Sequence, residues 1–137
     1  MAIIDFGGVK EEVVMRSEFP MAKARKVLKD ETIAIIGYGV QGPGQSLNMK
    51  DNGFKVIIGQ SKDFIQDWDR AVRDGWKPGA DLFEIEEATK RGTIIEMLVS
   101  DAAQKQIWPT IKSQFRVDLA TRTPARCTTS GRLAIAS

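Results

Sequence analysis

Histidine is absent from this chain of 137 residues, and the absence removes a large share of enzyme chemistry. Without an imidazole the chain alone builds no Ser-His-Asp triad, no Cys-His pair and no His-ligated metal site. Cysteine is nearly absent as well. The single Cys127 can form no internal disulfide, which fits a reducing cytosol, and it has no base partner near it in sequence to make it a nucleophile. No apolar run approaches the length of a membrane span. The start, Met1-Ala2-Ile3-Ile4-Asp5, lacks the basic residues and long apolar region of a signal peptide, so the expected location is the cytoplasm. Strong charge is missing too. A net charge of +2, with no basic run interleaved with aromatics, argues against nucleic acid or a membrane surface as partner.

The length suits one domain with its own core. Residues 1–20 read as an extended arm with a turn at Gly7-Gly8. Residues 21–29 are strong helix formers. Residues 32–36 read as a strand, a helix is expected from about Val40 to Lys50, and Asn52-Gly53 ends it. Pro43 falls in its first turn, where a missing N–H costs little. A second strand is expected over 54–58. A helix over 64–73 follows, with Phe64, Ile65, Trp68 and Val72 at helical spacing. After a turn at Trp76-Lys77-Pro78-Gly79, a helix is expected over 83–91 and a strand over 93–99. A helical stretch follows Asp101, and Pro109 is expected to start another helix through Phe115. This β-α-β-α-α-β-α order implies an α/β fold of the Rossmann type, a doubly wound parallel sheet, ending in an irregular tail over 116–137.

The most informative stretch is Ile33-Ala34-Ile35-Ile36-Gly37-Tyr38-Gly39-Val40-Gln41-Gly42. A β-branched run stops at glycines spaced G-x-G-x-x-G, and a helix follows, which is the context of a dinucleotide-binding turn. Gly37 permits the tight turn, Gly39 lets the backbone approach a pyrophosphate, and Gly42 lets the helix pack close to the strand. The helix start offers unpaired N–H groups and a positive dipole end. A turn that merely packs is the alternative.

About twenty residues on, an NAD site usually carries an acid for the ribose hydroxyls. Here the strand end reads Ile58-Gly59-Gln60-Ser61-Lys62. The Ser61 hydroxyl and Lys62 ammonium suit the 2′-phosphate of NADP(H), although Asp63 follows closely and a solvated loop is the alternative. After the third strand, Ser100-Asp101-Ala102-Ala103-Gln104 offers Asp101 and Gln104 to the ribose or nicotinamide side. Ser100 or Asp101 as a helix N-cap is the competing reading. Glu84, Glu86 and Glu87 read as a solvated helix face, and Trp68, Trp76 and Trp108 as packing residues.

The run Gly37-Tyr38-Gly39-Val40-Gln41-Gly42-Pro43-Gly44-Gln45-Ser46-Leu47-Asn48-Met49-Lys50-Asp51-Asn52-Gly53 resembles the amino-terminal domain of ketol-acid reductoisomerase. Phe6-Gly7-Gly8, Asp74-Gly75-Trp76, Leu98 to Gln104 and Trp108-Pro109 agree, so the resemblance covers about residues 3–115. It implies a cofactor site in which Tyr38, Gly39, Val40 and Gln41 hold the pyrophosphate and Asp101, Ala102, Ala103 and Gln104 form a second loop. Ser61 departs from the family, where an arginine often stands.

The resemblance implies a full enzyme that converts 2-acetolactate-type substrates to dihydroxy acids in valine and isoleucine synthesis, by Mg²⁺-assisted alkyl migration and hydride transfer from NADPH. It also implies a histidine segment and a helical domain that carries the Mg²⁺ carboxylates and any oligomer contacts. This sequence has neither, so no catalytic or metal-binding residue is assigned in it. One back-translation of residues 125–130, read two nucleotides in, spells Ala-Leu-Tyr-Tyr-Phe, which resembles the family's next strand. A frameshift after Phe115 is therefore expected, giving a truncated chain without turnover. The competing functions are a non-catalytic dinucleotide-sensing module and a non-functional remnant whose sheet lacks its edge strand.

Overall fold

The computed structural model describes residues 1–114 and the backbone of residues 126–129 and 132–134. The chain divides into two compact units, Met1–Asp30 and Glu31–Ser137. In the first, strands β1 (Ala2–Phe6) and β2 (Val9–Val13) form an antiparallel hairpin. Gly7 and Gly8 make its two-residue turn, both at positive φ as a tight hairpin of this type requires. Helix α1 (Met21–Val27) follows.

The second unit alternates strands and helices. These are β3 (Ile33–Ile36), α2 (Gly42–Asp51), β4 (Val56–Gly59), α3 (Ile65–Arg73), β5 (Leu82–Phe83), α4 (Ile85–Arg91), β6 (Ile94–Met97), α5 (Asp101–Gln114), β7 (Arg126–Thr129) and β8 (Arg132–Ala134). The sheet order is β5-β4-β3-β6-β7-β8, parallel from β5 to β7 and antiparallel at β8. The chain thus winds outward from β3 in one direction and then crosses to β6 for the other, as the doubly wound reading requires.

The four residues of β3 are all buried, as are those of β4. Such apolar runs without alternation belong to a sheet covered on both faces. Ile33, Ile35, Val56 and Ile58 pack on one side with Tyr38, Trp68, Trp76 and Leu82. Ala34, Ile36, Ile57, Ile95 and Met97 pack on the other with Phe83, Ala88 and Ile111.

Several boundaries differ from the sequence expectation. Leu82–Phe83 is a short strand beside β4 rather than the start of a helix, and Gln60 N–H donates to Phe83 O at 3.0 Å. Pro109 does not start a helix but lies inside the continuous α5. In and before α3 only Trp68 of the four apolar residues at helical spacing is buried, and Ala71 joins it; Phe64, Ile65 and Val72 are exposed. Two short strands, β7 and β8, stand within the segment expected to be irregular, and β7 pairs with the β6 edge that the alternative of a non-functional remnant leaves open. The rest of that tail, and with it the proposed frame change after Phe115, lies outside the described residues.

Candidate functional site

The strand order places three loops together at the carboxyl ends of β4, β3 and β6. Between β3 and β6 the winding reverses, and the loops that follow these two strands touch. A β-carbon added at Gly37 would lie 2.6 Å from Val99 Cγ1 and 3.0 Å from the Leu98 carbonyl oxygen. Gly37 also has φ 104°, a conformation that side chains resist, so this position is fixed twice over as glycine.

The next two glycines have different surroundings. A β-carbon at Gly42 would collide with the carbonyl oxygen of Gly37, so Gly42 is what lets α2 start against the strand end. A β-carbon at Gly39 would meet nothing within 4 Å. Gly39 is therefore spare as far as the protein's own packing goes, and the space above it is open. Val40 beside it is 89% exposed, and Gln41 is exposed too.

The amides of Gly39, Val40 and Gln41 have no acceptor among the described residues. They lead into α2, whose first turn holds Pro43 and adds the positive end of the helix dipole. Tyr38 is placed differently from its neighbours. Its N–H donates to Gln60 Oε1 at 2.8 Å and is not available to a ligand. Its side chain is fully buried, donates from its hydroxyl to Asp74 Oδ2 at 2.9 Å, and accepts from Trp76 Nε1 at 2.9 Å. Burial, together with Asp74, pushes the phenol up to about 12. Tyr38 thus anchors the glycine turn to the core.

Two residues that the sequence did not single out shape this loop. Gln60 is 5% exposed, and its Nε2 donates to Ser61 O at 3.4 Å while its Oε1 holds Tyr38. It thereby ties the loop after β4 to the loop after β3. Arg70 of α3 donates from Nη1 to Gly39 O at 3.1 Å. Both contacts join residues far apart in sequence, and no local pattern marks them.

In the loop after β4, Ser61 Oγ accepts the amide of Asp63 at 3.2 Å. The amide of Lys62 donates to Glu84 Oε1 at 3.3 Å, and its ammonium lies 5.1 Å from the centre of the Trp68 ring. After β6, Ser100 Oγ accepts the Ala103 amide at 3.4 Å and the Ser100 carbonyl accepts that of Gln104 at 2.9 Å. Ser100 is thus the cap, and Asp101 is the first residue of α5. Gln104 Nε2 donates to Val99 O at 3.3 Å, which holds its side chain against the loop. Glu86 and Glu87 pair with Lys90 and Arg91 on an exposed helix face. Among the described residues no cluster of three or more His, Cys, Asp or Glu is placed to hold a metal, and no helix is long and apolar enough to cross a membrane.

Comparison with known proteins gives this geometry its family. Residues 27–121 match the family model described as acetohydroxy acid isomeroreductase, NADPH-binding domain. A ketol-acid reductoisomerase (NAD(+)) of Desulfosudis oleivorans is 58% identical over 112 residues, which is 82% of this chain and 32% of that protein. The mitochondrial ketol-acid reductoisomerase of Neurospora crassa is 50% identical over 82% of this chain and 28% of its own length. A solved NADH-preferring ketol-acid reductoisomerase from an uncultured archean superposes with a TM-score of 0.61 at 32% identity, covering 66% of this chain and 28% of that one. The chain spans between about a quarter and a third of the length of the curated relatives it matches. It belongs to the acetohydroxy acid isomeroreductase family, as a member of the family's NADPH-binding domain.

Proposed function

We propose that this chain binds a nicotinamide dinucleotide across the carboxyl ends of β4, β3 and β6. The observation that carries the reading is the set of three amides at Gly39, Val40 and Gln41 without an acceptor among the described residues, next to the open space over Gly39 and continuous with a helix start. Backbone donors of this kind suit a pyrophosphate without any side chain of opposite charge. Gly37 and Gly42 form the turn and Tyr38 anchors it. Asp101, Ala102, Ala103 and Gln104, at the start of α5, take the nicotinamide half. The binding domain is drawn as residues 21–115, with 1–20 as an arm.

Ser61 and Lys62 are proposed to take the 2′-phosphate of NADP(H), as a hydroxyl and a cation suit that group. A second reading, NAD(H), is favoured by two observations. Glu84, from the start of α4, brings a carboxylate to the Lys62 amide, and the Desulfosudis relative is named for NAD(+). Titration calorimetry of the chain with both reduced cofactors separates them. The primary reading expects NADPH to bind at least about tenfold more tightly, on the order of 1.4 kcal/mol; equal affinity, or tighter NADH, contradicts it.

For the longer relatives' reaction, we propose that this chain supplies cofactor binding only. It has no histidine, and its described residues hold no acidic cluster for Mg²⁺. The isolated chain is expected not to oxidise NADPH when given 2-acetolactate and Mg²⁺. Metal-dependent loss of NADPH absorbance would contradict this. A sensing module would use the same site without turnover. The cytoplasm remains the proposed location, with the mitochondrial name of the Neurospora relative as the competing indication.

A further inference from the structure

We infer that Arg70 is a positioning residue for the dinucleotide pyrophosphate, an inference that rests on the binding site proposed above. Its guanidinium reaches from α3 to the carbonyl of Gly39, in the middle of the glycine turn. In a trans peptide the C=O and the following N–H point in opposite directions. Among the described residues no peptide bond is cis. By holding the Gly39 carbonyl toward α3, Arg70 therefore turns the Val40 amide away from α3, and that amide is one of the three without an acceptor.

Little else restrains this peptide. Gly39 has no side chain to pack, Val40 is exposed, and the neighbouring anchor at Tyr38 holds only the preceding amide. Arg70 itself is exposed and has no ion pair among the described residues. Its charge is consequently not consumed by a carboxylate. One contact uses a single N–H of a group that carries several, and it leaves the guanidinium charge at the carbonyl side of the glycine turn. Arg70 both orients a donor and contributes positive charge to the turn.

The role belongs to the pyrophosphate, common to NADPH and NADH, and not to the 2′-phosphate. The test is titration of the unsubstituted chain, Arg70→Met and Arg70→Lys with NADPH, NADH and adenosine 2′-monophosphate, alongside melting of each protein. Arg70→Met is expected to weaken both dinucleotides by a similar factor, about tenfold. Adenosine 2′-monophosphate, which has no pyrophosphate, should stay within about twofold. Melting temperature should hold, since an exposed side chain is removed. Arg70→Lys keeps the charge and one donor, and should recover most of the loss. Unchanged dinucleotide affinity in Arg70→Met overturns the inference, as does weakening confined to ligands with a 2′-phosphate. An unsubstituted chain that binds neither dinucleotide overturns the proposed function, and this inference with it.

Discussion

Tyr38 is the only tyrosine of the chain, and it sits where the glycine turn meets the core. Its hydroxyl joins Asp74 to the indole N–H of Trp76, and the two rings meet edge to face with centroids 6.5 Å apart. Burial raises its pKa above the usual 10.0 to about 12, and the hydrogen bond to Asp74 adds to the effect. The folded protein therefore keeps the phenol proton where the unfolded chain has released it. This contribution to stability is complete below pH 10 and is lost as the pH rises toward about 12. Ultraviolet titration should show tyrosinate appearing near 12 in the native chain and near 10 in urea. Tyr38→Phe should cost about 1–3 kcal/mol by leaving the Trp76 N–H unpaired. A native titration near 10 would show that the hydroxyl is not buried as described. The identity of this residue was legible in the sequence motif, but its inward direction was not, because its partners lie 36 and 38 residues away.

Among the elements, β3 and β4 were legible because their apolar runs end at glycine, and α2 because of its turn and Pro43. The strand β5 was not: two residues carry no periodicity, and Leu82–Phe83 becomes a strand through its pairing with β4. Spacing alone also misjudged the Pro109 region, where α5 continues past the proline despite the lost backbone donor. In β6, Glu96 is half-buried, and desolvation raises its carboxyl above the ordinary range. The folded state thus favours the protonated acid. Its contribution is present below the unfolded pKa and is lost as the pH rises through the folded value. Glu96→Gln should accordingly stabilise the protein at neutral pH and have little effect in acid, as read by urea midpoints at both. Destabilisation at neutral pH would mean that the carboxylate has a partner in the sheet.

For the molecule as a whole, sheet order is what assembles the site. The alternation of elements predicts a doubly wound sheet, and that topology brings the loops after β3, β4 and β6 to one end. The glycine turn, Ser61-Lys62 and the start of α5 were therefore placed together by topology before any contact was known. Gln60 and Arg70, which hold that arrangement, were invisible because they act through pairings across 22 and 31 residues.

The central claim is that a dinucleotide pyrophosphate occupies the space over Gly39. It is tested most directly by melting the chain and its Gly39→Val variant with and without NADPH. A ligand that binds only the folded state at about 100 times its Kd adds about 2.7 kcal/mol, enough to raise the midpoint by several degrees. The native chain should show that rise. Gly39→Val should melt like the native chain without cofactor, because the added side chain meets no protein atom at its β-carbon, and should show no rise with it. No shift in the native chain, or an equal shift in the variant, would contradict the account.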